Sequence, residues 1–225
     1  MSSEQRPTIA VLGGAGKEGS GLALRWANVG YPIVIGSRDA ARATEAAAEI
    51  NTALGREAAR GADNLRAAQA ADIVVLTVPF SAQRATVESV RDALKGKILI
   101  DVTVPLAPPK VSRVQLPEGG SAVEAIQKLL GADTRVVSAF QNISAHHLKD
   151  LGHEINCDVL VCADDKATGD QVVLMAKEIG LGAWNAGALA NSVVSEALTS
   201  VLIALNQRYK VPASGIRITG IPQQP

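Results

Sequence analysis

The stretch TIAVLGGAGKEGSGLA, residues 8–23, decides the fold. Its first five residues form an apolar run that stops at a glycine cluster. Residues 17–29 then carry helical periodicity up to Gly30, so the segment reads as buried strand, tight turn and helix. In the turn, Gly14, Ala15, Gly16, Lys17, Glu18 and Gly19 make a G-x-G-x-x-G. The three glycines serve different purposes. Gly14 permits the turn, Gly16 lets backbone approach a pyrophosphate, and Gly19 lets the helix pack on the strand. The N–H groups and the positive end of the helix dipole then face the phosphates. A chain with 20 glycines matches this pattern by chance somewhere, but the strand before and the helix after supply the context that the motif requires.

Moving outward, a second apolar run at 32–35 ends in Gly36-Ser37-Arg38, with Arg42 one helical turn further on. Sites for NAD place an acid here to accept from the ribose hydroxyls. A hydroxyl and two guanidinium groups instead suit a 2′-phosphate, which a carboxylate would repel. The residues therefore predict an NADP(H) site, with Asp39 as a helix cap.

The rest of the first half repeats the pattern. Residues 39–54 are rich in Ala and Glu and read as helix, 73–78 (IVVLTV) as buried strand, 81–94 as helix and 97–102 (KILIDV) as strand. Residues 105–120 hold four prolines and read as an extended loop, followed by a helix at 121–130 and a strand at 135–140. Strands alternating with helices imply right-handed βαβ units. The expected class is α/β, a Rossmann-type doubly wound parallel sheet. Residues 1–147 would form this NADP-binding domain. Residues 148–225 would form a smaller α/β domain that closes the cleft, with a strand at 158–162 and helices at 168–179 and 191–209.

Composition agrees. The chain has 225 residues, 47% hydrophobic but only 3% aromatic, so Ala, Val, Ile and Leu must fill the core. Lys plus Arg (22) equals Asp plus Glu (22), and no basic run points to nucleic acid or an anionic membrane. The two cysteines make no disulfide framework, MSSEQRPTIAV lacks the apolar core of a signal peptide, and the apolar runs read as short. These features predict a soluble cytoplasmic protein. Helix 191–209 is apolar on more than one face, through Val193, Val194, Leu198, Val201, Leu202, Ile203 and Leu205, which predicts a homodimer contact.

Other candidates carry less. Adjacent His146 and His147, with His153, do not present ligands to one metal, so they read as solvated or hydrogen-bonding groups. Cys157 and Cys162 read as small core residues, and Asp164-Asp165 as a strand end followed by a helix cap. No Ser–His–Asp or Cys–His arrangement and no Schiff-base lysine stands out, so no catalytic residue is assigned.

Segments LGGAGKEGSGLA (12–23), IVIGSR (33–38), VLTVP (75–79), DVTVP (101–105), VVSAFQNISA (136–145) and WNAGALANS (184–192) follow one another in an order that resembles the NADPH-dependent coenzyme F420 reductases. The resemblance implies hydride exchange between NADP(H) and the 8-hydroxy-5-deazaflavin coenzyme F420. It puts Ala15, Gly16, Lys17 and Glu18 around the pyrophosphate and Ser37, Arg38 and Arg42 on the 2′-phosphate. It places Val78, Val104 and Ala145 beside the nicotinamide and its ribose, and Gln141, Asn142 and Ile143 against the deazaflavin. At Gln141 the family pattern has a histidine; glutamine still donates and accepts but does not titrate. Two stacked rings need orientation and dryness rather than an acid or a nucleophile, which fits the missing catalytic constellation. The rival readings are an NADPH-dependent reductase of a flavin or ferric chelate, and a non-catalytic NADPH-sensing protein.

Overall fold

The structure, a computed structural model, describes residues 6–221; Met1–Gln5, the start of the segment inspected for a leader, and residues 222–225 lie outside it. β1 (Ile9–Leu12) has all four side chains buried and passes through the glycine turn into α1 (Lys17–Asn28). β2 (Ile33–Ser37) and α2 (Ala40–Leu54) follow. Asp39 starts α2 by accepting from the N–H groups of Ala41 and Arg42 at 3.0 and 3.5 Å, and Gly55 ends it in the left-handed region at φ 63°.

The chain continues through β3 (Ala59–Asp63), α3 (Asn64–Gln69), β4 (Ile73–Leu76), α4 (Phe80–Val90), β5 (Ile98–Asp101), α5 (Ala122–Leu130) and β6 (Arg135–Ser138). It ends with β7 (Asp158–Ala163), α6 (Lys166–Glu178), β8 (Gly182–Asn185) and α7 (Ser192–Tyr209). The strands form one eight-stranded sheet in the order β3-β2-β1-β4-β5-β6-β7-β8. All neighbours are parallel except β6 and β7. Alternate residues of β1, β2, β4, β5 and β6 feed two cores, Ile9 and Val11 on one face and Ala10 and Leu12 on the other, as a doubly wound sheet requires. β7 and β8, which come from residues 148–225, extend this same sheet.

Three elements escaped the sequence reading: β3, α3 and β8. β3 reads ARGAD, has no apolar run, and lies at a sheet edge, half-buried. Its Gly61 is needed because α2 lies so close that a Cβ would come within 2.5 Å of Ala43 backbone. The strand expected over 135–140 stops at Ser138, because Phe140 turns the chain with φ 72°. One further expectation changes: among the described residues, 189–209 make one helix long and apolar enough by composition to cross a membrane. Its buried residues, however, are Ser192, Ser195, Glu196, Ser200 and Leu202, and Ser192 and Glu196 bond it to Ser121 and the start of α5.

Candidate functional site

Strand register builds the site. Leu12 is level with Gly36 and Leu76, Leu76 with Asp101, and Asp101 with Ser138. The segments that follow these five positions therefore leave the sheet side by side along its carboxyl edge. They carry Gly14–Gly19, Ser37–Arg42, Val78, Val104 and Gln141–Ala145. The order reverses between β1 and β4, so the glycine loop sits at the topological switch point, where open α/β sheets bind ligands.

The glycines differ in what surrounds them, as the motif predicts. A Cβ on Gly14 would stand 2.7 Å from the Val11 carbonyl oxygen, and one on Gly19 would stand 2.8 Å from Gly14 Cα, so both are glycine because the protein itself is close. At Gly16 the nearest atom is the Gly13 carbonyl oxygen at 3.2 Å, and nothing else lies within 4 Å. The space over Gly16 is open for a ligand. Gly16 also begins α1 without any side-chain cap, which leaves the first-turn N–H groups available to an anion. Burial pushes the Glu18 carboxyl in that turn up to about 8.

A cleft of about 170 Å³ joins Ala15 and Gly16 to Ser37, Arg38, Arg42, Asn64 and Val78. Arg38 and Arg42 are exposed and have no carboxylate partner among the described residues. Asp39 is occupied as the α2 cap, and the Ser37 hydroxyl accepts from Asp39 N–H at 3.2 Å. The cleft thus offers two free guanidinium groups beside a phosphate-sized opening, which fits NADP(H). Sequence reasoning missed Asn64, whose buried Oδ1 has no partner and which lines the same cleft. Only recognition of β3 would have placed it at the edge.

The second group lies further along the edge. Val104 and Ala145 are partly exposed, whereas Gln141, Asn142 and Ile143 are buried. The amide nitrogens of Gln141 and Asn142 are committed inside the protein, to the carbonyl oxygens of Asp101 and Asp158, both at 2.7 Å. Their amide oxygens are buried without a partner, as are the hydroxyls of Thr103 and Ser138. The unpartnered groups of Gln141 and Asn142 at this edge are therefore their buried amide oxygens. Beneath this edge Asp101 accepts from Gln83 at 2.7 Å and Thr103 N–H at 2.9 Å, while burial pushes its carboxyl up. Glu196 accepts from Ser121 and from the N–H groups of Ala122 and Val123, capping α5; burial pushes it up too, with the Asp101 charge adding.

His147 meets His146 edge-on at 4.5 Å and stacks on His153 at 3.8 Å. No group of three His, Cys, Asp or Glu among the described residues is arranged for a metal. Cys157 and Cys162 are free and buried, and Asp165 caps α6 through Thr168 N–H at 2.8 Å.

Comparison with known proteins gives this geometry a lineage. Residues 8–105 match the family described as NADP oxidoreductase, coenzyme F420-dependent. The chain is 43% identical over 223 residues to the F420-dependent NADP reductase of Methanothermobacter thermautotrophicus, covering 96% of each chain. It is 39% identical over 221 residues to the enzyme of the same name from Methanocaldococcus jannaschii, covering 95% of this chain and 98% of that one. A crystal structure of a candidate F420-dependent NADP reductase from Arthrobacter sp. FB24 superposes with a TM-score of 0.79 at 26% identity, over 95% of this chain and all of that one. A glycine loop at the switch point, two exposed arginines beside it and similarity to such reductases over nearly the whole chain lead to one assignment: the chain belongs to the coenzyme F420-dependent NADP oxidoreductase family.

Proposed function

We propose that the carboxyl-edge cleft binds NADP(H) and that the protein transfers a hydride between it and the deazaflavin coenzyme F420. The observation that carries this is the cleft that joins an open Gly16 to Arg38 and Arg42 with no acid free to compete. NADP(H) supplies or takes the hydride at nicotinamide C4, and the deazaflavin exchanges it at C5. The chain binds, orients and keeps water out. Gly14–Gly19 hold the pyrophosphate against the α1 N-terminus, and Ser37, Arg38 and Arg42 hold the 2′-phosphate. Val78, Val104 and Ala145 border the nicotinamide. The segment from Gln141 to Ala145 fixes the second ring, and the unpartnered amide oxygens of Gln141 and Asn142 are its candidate acceptors. Mixing protein, NADPH and oxidised coenzyme tests this directly, since reduction removes the strong visible absorbance of the deazaflavin.

Residues 148–225 are proposed to close the cleft over 1–147. In support, the Thr199 hydroxyl donates to the Gln141 carbonyl at 2.7 Å and Glu196 caps α5 from the same side of α7. The outward face of α7 presents Val194, Val201, Leu205 and Tyr209 to solvent, with Val194 59% exposed. A helix that buries serines and a glutamate while exposing branched apolar side chains supports a homodimer contact on that face. Two free thiols buried in the core suit a reducing compartment, the cytoplasm.

A further inference from the structure

We infer that Arg25 and Trp26, on the half of α1 remote from the phosphates, are positioning residues that clamp the segment 140–153 and so set the geometry of the deazaflavin side of the site. The inference rests on the reading of Gln141–Ala145 as the part that faces the second ring.

Arg25 is 6% exposed and has no carboxylate partner among the described residues. Its guanidinium donates instead to five carbonyl oxygens: Leu148 at 2.9 Å, His147 at 3.2 Å, Asp150 at 2.7 Å, His153 at 3.2 Å and Ile179 at 3.3 Å. Four of the five belong to one irregular turn that directly follows Ala145. Within that turn the His147 and Asp150 carbonyls also accept from Asp150 N–H and His153 N–H, at 3.2 and 3.1 Å, so one planar five-donor fork reinforces two backbone turns and binds the Leu148 and His153 carbonyls as well. A lysine has three donors on one nitrogen and no such spread.

Trp26 acts on the other end of the segment. Its ring meets Phe140 edge-to-face at 5.6 Å and 88°, and its indole N–H donates to the Met175 carbonyl at 3.2 Å. Phe140 is fully buried and holds φ 72°, a conformation unfavourable for a bulky side chain. Such strain persists only where the surroundings over-determine it, and it lies here one residue before Gln141. Gly21, one turn earlier on the same helix, packs against Leu148 so closely that any Cβ would collide with it. α1 therefore presents its N-terminus to the pyrophosphate, while its far half grips both ends of the segment that carries Gln141–Ala145. Neither Arg25 nor Trp26 touches either ligand site, so their effect passes through that segment.

The test uses Arg25→Met, which keeps the apolar stem, and Arg25→Lys, which keeps charge and is the gentler change should Arg25→Met not fold. Amide hydrogen exchange is read across the chain without any deazaflavin, alongside NADPH titration and steady-state kinetics. The clamp predicts faster exchange confined to 140–153, unchanged NADPH affinity, and a loss in kcat/KM for the deazaflavin approaching roughly a hundredfold, the scale of a 1 Å misplacement. Arg25→Lys should lie between the parent and Arg25→Met. Exchange unchanged in 140–153, or raised equally everywhere, overturns the inference. So does a loosened segment with deazaflavin kinetics like the parent's. A parent that never turns over the deazaflavin defeats the functional reading instead, and the exchange map still decides whether the clamp exists.

Discussion

Replacing Arg38 with alanine separates a phosphate reader from an ordinary surface arginine. Arg38 lines the cleft beside Gly16, is exposed, and makes no ion pair among the described residues, so its removal breaks nothing internal. The nearest acid in sequence, Asp39, is held by Ala41 and Arg42 N–H groups and gains no new freedom. A charge-assisted bond to a phosphate contributes about 1.5–3 kcal/mol. The exposure of Arg38 and the neighbouring Arg42 place the effect toward the lower end, because water and salt screen the charge and Arg42 keeps part of the contact. A loss of roughly tenfold in NADPH affinity is expected, rising toward a hundredfold in the Arg38→Ala, Arg42→Ala pair. NADH lacks the 2′-phosphate and should bind almost as before. Titration of nicotinamide fluorescence with both cofactors at low and high salt reads the difference, and salt should erode the NADPH advantage in the parent. Equal losses for NADPH and NADH would refute the assignment of this corner.

Four further sets of substitutions probe the same structure. Gly16→Val should abolish dinucleotide binding at unchanged circular dichroism, since a side chain there meets only Gly13 and fills ligand space; normal NADPH binding would contradict it. Glu18, held near 8 instead of its usual 4.5, is neutral at pH 7 beside the phosphate site. NADPH affinity should therefore fall as pH rises through about 8 in the parent but not in Glu18→Gln. The folded state keeps a proton that the unfolded chain releases near 4.5, so the parent should also lose stability relative to Glu18→Gln from about 4.5 to 8. Asn64→Leu should weaken NADPH and NADH alike, because Asn64 lines the cleft with an unpartnered oxygen yet offers no charge to the 2′-phosphate; a loss confined to NADPH would move it to the phosphate corner. Val194→Glu with Val201→Glu should give monomers by light scattering, and a parent already monomeric at high concentration would end that proposal.

The sequence displayed the dinucleotide half because parallel strands buried on both faces are continuous apolar runs and because the loop's glycines fall at fixed offsets. It hid β3 and β8, whose ARGAD and GAWN have no such runs, and with β3 it hid Asn64. It could not show that Gln141 and Asn142 donate to the Asp101 and Asp158 carbonyls, since those bonds depend on packing between distant strands. Nor could it show the polar inner face of α7, because Ser192, Ser195 and Glu196 look solvent-facing until Ser121 and the α5 N-terminus are opposite them. The grip of Arg25 on carbonyls more than 120 positions away is likewise a product of the fold. Local chemistry was legible, and long-range satisfaction of buried polar groups was not.

The proposed hydride exchange between NADP(H) and the deazaflavin needs no titrating protein group at the reacting atoms. The direct measurement is deazaflavin absorbance in a cuvette with the full chain and NADPH, followed across pH for the parent and for Gln141→Ala. Bleaching in proportion to NADPH oxidised is expected, with slower turnover or a higher deazaflavin KM in Gln141→Ala and NADPH affinity intact. The two pH profiles should share one shape once cofactor titrations and the fall in NADPH affinity near pH 8 are allowed for. Undiminished absorbance with fresh NADPH would overturn the hydride exchange and leave a different acceptor or an NADPH sensor.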